Sequence, residues 1–194
     1  MCKGSDGGSC GRAKAFAVSK PKMLQERGSP PFFIMKKLEL KNCTHGRGVF
    51  VKEPIEAGEE ILQFEGPVMD SNDLPDPYTA ETDYYLQIGE NQFMGPSGKL
   101  DDYVNHSCEP NCGIKFDVDG IKLVAIVPID AGYQITFDYS TTMHNFDYEM
   151  KCACGSNSCR QRVKNFVQLP AELQAKYIQL GIVPHYLLRV HDRH

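Results

Sequence analysis

The sequence has no long apolar run. None of its 194 residues falls in a stretch approaching the 18 or so apolar side chains of a membrane-spanning helix. The first residues also lack the apolar core of a secretory signal. A basic excess is missing too. With 21 Lys+Arg against 25 Asp+Glu the formal charge is −4 and the pI is near 5.9. That balance argues against direct nucleic-acid binding and favours a basic peptide or protein as partner. There is no internal repeat. Nor is there a strand–helix alternation of the nucleotide-binding kind, so Gly46-Arg47-Gly48 is not read as a dinucleotide loop. Helix signals are scarce as well. One good candidate lies near the C-terminus, with Pro170 suited to the first turn and Gly181 to the position after the end. Leu173, Tyr177 and Leu180 share one face with Ile178 beside it, and packing is its expected role.

What is present suits one domain with tails: 41% of the residues are apolar, enough for an ordinary core. Residues 1–31 carry Gly, Ser, Lys, Arg and Pro without apolar periodicity and read as a flexible arm. From residue 32 the chain turns β-like. Short strands are expected at 35–40, 49–51, 84–88, 93–94 and 133–139. Ile114, Phe116 and Val118 alternate with polar residues, as do Ile121, Leu123, Ala125 and Val127. Asp119-Gly120 between the two runs predicts a hairpin. The acidic stretch 69–83 reads as a solvated connection, with a docking surface for a cationic peptide as the other reading.

Two clusters carry chemistry. Cys152, Cys154 and Cys159 form C-x-C-x4-C, and without a secretory signal reduced thiols and a metal are the better reading of the eight cysteines. A structural zinc wants four ligands, so the fourth must come from far away in the chain, from Cys108 or from Cys112 as runner-up. The second cluster is Asn105-His106-Ser107-Cys108. An amide, an imidazole, a hydroxyl and a thiol in four residues need partners if buried, because each unpaired group costs about 1–3 kcal/mol.

Together these segments resemble the SET-domain protein-lysine methyltransferases. The matching pieces, in the family's order, are GRGVF at 46–50, IEAGEEI at 55–61 with FEG at 64–66, NHSCEPN at 105–111, ITFDY at 135–139 and the C-x-C-x4-C of the post-SET motif, covering roughly residues 36–166. The resemblance implies a mainly β, β-clip-like fold of small curved sheets with a pseudoknot, a post-SET zinc site and a C-terminal helix. It divides the chain into a SET domain at 32–141, a zinc segment at 142–168 and a helix and tail at 169–194.

The implied cofactors are S-adenosylmethionine and zinc, the latter held by Cys108, Cys152, Cys154 and Cys159. Tyr139 is the implied catalytic residue. His45, Gly46, Arg47, Tyr85, Asn105, His106 (through its backbone) and Phe166 (over the adenine) are the implied cofactor contacts, and Phe64 and Phe137 line the substrate channel. The implied activity is methyl transfer to a lysine of a histone or histone-like basic protein, with a zinc-stabilised SET-fold binding module without turnover as the alternative. Phe137, at the family's Phe/Tyr switch, implies room for di- or trimethylation. Three departures stand out: Phe64 replaces a tyrosine, Asp102-Tyr103 replaces Arg-Phe, and Gln161 replaces a glycine. An intracellular location is expected, with nucleus, cytoplasm and delivery as a secreted effector left open.

Overall fold

The computed structural model describes residues 37–44, 46–75, 84–144 and 150–191. The arm at 1–31, His45 and most of the acidic stretch, residues 76–83, lie outside them. Short strands dominate. β1 (Leu38–Cys43) and β2 (Gly46–Val51) pair antiparallel, from Leu38 opposite Val51 to Cys43 opposite Gly46. β3 (Glu60–Phe64) joins β8 (Cys112–Asp117) and β9 (Gly120–Ala125) in a three-stranded sheet with β9 in the middle. β4 (Val68–Asp70), β5 (Leu86–Gln87) and β6 (Gln92–Met94) form a second, with β6 central. β7 (Asn105–His106) runs parallel to β10 (Thr136–Phe137), and β11 (Met150–Lys151) pairs with β12 (Arg162–Val163).

The β-branched and aliphatic residues of these strands alternate inward, and Val49, Val51, Ile61, Ile114, Leu123 and Ile135 have no exposed surface. Each contributes roughly 1.5–3 kcal/mol by leaving water, so this cluster rather than any single sheet holds the small strands together. The sheets meet where β7 lies on β10. Asn105 faces Thr136, His106 faces Phe137, and Ser107 N–H donates to the Phe137 carbonyl at 3.1 Å. That parallel contact brings NHSC against ITFDY.

Several sequence expectations shift by a few residues. The hairpin forms, but Asp117 pairs with Gly120, so its turn is Val118-Asp119 rather than Asp119-Gly120. The strand expected at 84–88 shrinks to Leu86–Gln87. The one expected at 133–139 shrinks to Thr136–Phe137, because the Asp138 carboxylate accepts the Ser140 N–H and starts a 3-10 turn at Tyr139–Thr141. The first of the expected strands is placed at β1, and residues 35–36 lie outside the described part.

At the C-terminus α1 (Ala171–Gln179) follows Pro170 and ends at Leu180, with Gly181 at φ +66 closing it. Tyr177 is its buried anchor and Leu173 is half-buried, but Leu180 is exposed and is not on the packed face. A second helix, α2 (His185–His191), was not expected: seven residues after Pro184 are too short to show a period. Phe166, Leu169, Tyr177, Ile182, Val183, Tyr186 and Leu187 form a second apolar cluster. Helices this short are not stable alone, so that cluster holds them. It docks on β8 at Gly113, where any Cβ would run into the Ile182 side chain. No helix among the described residues is long and apolar enough to cross a membrane.

Candidate active site and thiolate cluster

Tyr139 stands at the boundary of two cavities. One is an open cleft of about 450 Å³ bordered by Gly46, Arg47, Asn105, His106, Tyr139 and Met150. The other is a narrow cavity of about 90 Å³ walled by Phe64, Tyr85, Leu86, Phe137, Tyr139 and Met143. Tyr84 and Asp102 border both as well. The Tyr139 ring packs on Phe137 at 4.8 Å between centroids and edge-on to His106 at 5.3 Å, while Phe64 meets Phe137 edge-on at 6.1 Å. Tyr139 Oη donates to the Val104 carbonyl at 3.0 Å. Its proton is thereby committed, and the oxygen's lone pairs are what it can offer a neighbour.

The cleft is built by close backbone approach. Asn105 Nδ2 donates to the Arg47 carbonyl at 2.9 Å. Gly48 makes that possible, because a Cβ there would overlap the Gln134 amide and lie 2.9 Å from Asn105 Nδ2. Gly46 has φ +89, which a side chain would disfavour. The Arg47 guanidinium stacks 4.2 Å over the Tyr103 ring and reaches its hydroxyl at 2.5 Å, so Tyr103 holds Arg47 at the rim.

His106 links this site to the cysteines. Its Nδ1 accepts the Tyr139 N–H at 3.2 Å, which leaves the proton on Nε2, 3.3 Å from Cys108 Sγ. Burial pushes its pKa down to about 4, against the pull of Asp138 and with help from Arg160, so the ring is neutral. The sequence marked the residue for its backbone; the bridging role of its imidazole had no sequence signal.

The Sγ atoms of Cys108, Cys152, Cys154 and Cys159 all lie within 4.8 Å of one another, with Cys108–Cys152 and Cys152–Cys159 both at 3.7 Å. A tetrahedral zinc with bonds near 2.3 Å requires sulfurs roughly 3.8 Å apart, so the donor set fits the ion. Burial raises the Cys152 thiol. At Cys154 burial works upward too, but hydrogen bonds from Cys108, Ser156 and their neighbours prevail and lower it to about 6. Arg160 N–H donates to Cys108 Sγ at 3.4 Å. Its Nη2 pairs with Asp138 at 2.8 Å, while Nε and Nη1 are buried with no acceptor among the described residues. Glu109 ties the loop down, accepting from Ser158 Oγ at 2.7 Å and Ser158 N–H at 3.2 Å.

Three placements differ from the sequence expectations, and Gln161 adds an uncommon backbone conformation. Cys112, the runner-up ligand, is fully buried in the main core with its Sγ 3.3 Å from Asn111 Oδ1, and burial pushes its thiol up to about 12. It is not among the four cysteines whose sulfurs gather, where Cys108 stands instead. Phe166 has no exposed surface and packs among the C-terminal helices, so it has no face to lay over an adenine. Tyr85 lines the narrow cavity rather than the cleft, where its neighbour Tyr84 stands instead. Gln161, in the place of the family's glycine, adopts φ +65, the one non-glycine in that region among the described residues.

Asp138 had drawn no attention in the sequence. It is 1% exposed and accepts from Arg160 Nη2 at 2.8 Å, Tyr177 Oη at 2.9 Å and Ser140 N–H at 3.1 Å.

Residues 46–140 match the family model of the SET domain. Histone-lysine N-methyltransferase ASHH3 of Arabidopsis thaliana is 31% identical over 141 residues, 66% of this chain and 38% of that protein. Histone-lysine N-methyltransferase trithorax of Drosophila virilis is 33% identical over 129 residues, 60% of this chain and 3% of that protein. The chain thus spans well under half the length of these relatives. Among solved structures, KRYPTONITE in complex with mCHH DNA, an H3(1-15) peptide and SAH superposes with a TM-score of 0.53 at 24% identity, over 66% of this chain and 29% of that one. Domain match, relatives and fold agree that the chain carries a SET domain over residues 46–140.

Proposed function

We propose that the chain is a protein-lysine N-methyltransferase that takes its methyl group from S-adenosylmethionine and delivers it to a basic, histone-like segment. The observation that carries this reading is Tyr139 Oη at the junction of an open cleft and a narrow aromatic cavity. The named relatives and the SAH-bound neighbour support it. When bound, S-adenosylmethionine supplies a methyl group already activated on a sulfonium. The protein's task is alignment, which can be worth several kcal/mol. Backbone at Gly46 and Arg47, with Asn105, His106 and Tyr84, would hold the cofactor in the cleft; His45 belongs to the same proposal.

Phe64, Phe137, Tyr85 and Leu86 exclude water from the narrow cavity. An ammonium with a free pKa of about 10.4 is driven toward the neutral amine by such desolvation. Tyr139, its proton held by Val104, orients rather than removes a proton. Phe137 places no hydroxyl beside the amine, which supports di- or trimethylation. The four cysteines would hold zinc as a closed structural centre, pinning 150–163 over the NHSC strand. The charge argument against nucleic acid is not carried forward, since KRYPTONITE is described with DNA. A histone substrate would place the protein in the nucleus.

Labelled S-adenosylmethionine with core histones tests the reading. Label on a lysine that disappears with Tyr139→Phe supports it. Bound cofactor and zinc without label on any protein would favour the module without turnover, the reading that Phe64, lacking a channel-wall hydroxyl, recommends.

A further inference from the structure

We infer that the two C-terminal helices act as a clamp on the catalytic segment, with Tyr177 and Tyr186 as positioning residues for Tyr139. The inference rests on the methyltransferase reading above for its functional meaning, though not for its test.

The segment 138–144 carries Tyr139 and also supplies Thr142 and Met143 to the narrow cavity. By itself it is weakly held. Its internal bonds are local, those of one 3-10 turn (Thr141 N–H to the Asp138 carbonyl at 2.9 Å, Thr142 N–H to Tyr139 at 3.1 Å and Met143 N–H to Ser140 at 3.4 Å) and three side-chain bonds, from Ser140 N–H to the Asp138 carboxylate and from the Thr141 and Thr142 hydroxyls to the Asp138 and Tyr139 carbonyls. Such turns have poor hydrogen-bond geometry and do not persist alone. Its position must therefore be imposed from outside.

The C-terminal helices reach it at both ends. Tyr177 of α1 donates its hydroxyl to Asp138 Oδ2 at 2.9 Å, one residue before Tyr139. Tyr186 of α2 places its hydroxyl 2.5 Å from the Thr142 carbonyl and 3.0 Å from the Gln87 carbonyl, three residues after Tyr139. Gln87 in turn accepts the His144 N–H at 2.8 Å. Both tyrosines are buried, and burial keeps both hydroxyls protonated and therefore donors. The helices have a fixed origin, since Ile182 fills the space a Cβ on Gly113 would need and Gly113 belongs to the central sheet. Force runs from the sheet through Ile182 and the helices to two hydroxyls that bracket Tyr139. A phenylalanine would pack the same rings, so these variants remove only the hydroxyl bonds, which add to those of Arg160 with Asp138 and of His106 with the Tyr139 N–H.

The test uses the whole, zinc-loaded chain with Tyr177→Phe, Tyr186→Phe and the double variant. Amide hydrogen exchange is read for 138–144 and, as a control, for the 112–125 hairpin. Each lost buried hydrogen bond should speed exchange in 138–144 about tenfold and leave the hairpin unchanged. Methyl transfer by the same variants should show kcat down about tenfold each with KM for S-adenosylmethionine within about twofold. If a tyrosine variant does not fold, Ile182→Val loosens the docking while keeping both hydroxyls, and the same local rise in exchange is expected, to a smaller extent. Unchanged exchange in 138–144, or a rise shared equally by the hairpin, would overturn the clamp. If wild type transfers no methyl group, the proposed function fails, while the exchange data still decide the clamp.

Discussion

Tyr139 Oη gives its proton to a main-chain carbonyl, so what it turns toward a reacting group is a lone pair. Phe137, 4.8 Å away ring to ring, leaves the adjoining space apolar. Phe137→Tyr would add a hydroxyl and anchor water beside the amine, and the products, read by mass spectrometry, should shift toward monomethyl-lysine. His106 supports the same tyrosine from behind. His106→Phe removes the acceptor of the Tyr139 N–H and the donor to Cys108. Chemical denaturation should show a loss of about 1–3 kcal/mol per group left unpaired, and chelator competition a zinc affinity weakened about 10–100-fold. Tyr139, Asn105, Phe64 and Phe137 stand out in the sequence through their motifs, and all four border one or both cavities. Cys108 could not be told from Cys112 by spacing, because which thiol faces the cluster depends on the chain's path through β7 and β8. Asp138 and the His106 ring were silent for a similar reason, since each also has partners far along the chain: Tyr139 for His106, and Arg160 and Tyr177 for Asp138, 22 to 39 residues away.

At the scale of elements, the zinc segment is the least self-sufficient part. β11 and β12 have two residues each, and the Cys108, Cys152, Val163 cluster is small. Chelating the ion from the protein should therefore loosen 150–163 first, seen as rapid proteolysis or exchange there while the 112–125 hairpin stays protected. A chelated protein that keeps 150–163 protected would contradict a structural zinc. Gln161, in the left-handed region, offers a converse test. Gln161→Gly should raise stability by up to about 1 kcal/mol by relieving that conformation, read as a higher Tm. The hairpin was readable because alternation and a turn residue are local signals. The strand at 133–139 was over-read, since the bond from Ser140 N–H to Asp138 that stops it is a side-chain choice. α2 was missed because a helix of seven residues, about two turns, exists only through its packing.

Across the whole molecule, two apolar clusters meet along β8, and the 138–144 segment is bonded to the C-terminal helices at Asp138 and Thr142. Gly113→Ala would force Ile182 outward, and overpacking at so tight a contact costs roughly 1–3 kcal/mol. The expected loss is in thermal stability and in turnover together. The family resemblance conveyed the mainly β architecture, yet the way the C-terminal segment folds back onto Asp138 and Thr142 lies outside the region any motif covered. In the proposed mechanism Tyr139 orients reactants held in the two cavities it borders and binds neither. Calorimetric titration of S-adenosylmethionine into wild type and Tyr139→Phe, beside their turnover of a histone substrate, tests it most directly. The account predicts affinities within about threefold, under 1 kcal/mol, and turnover reduced by about 100-fold or more. A variant that keeps turnover, or that loses turnover only in proportion to lost cofactor affinity, would contradict it.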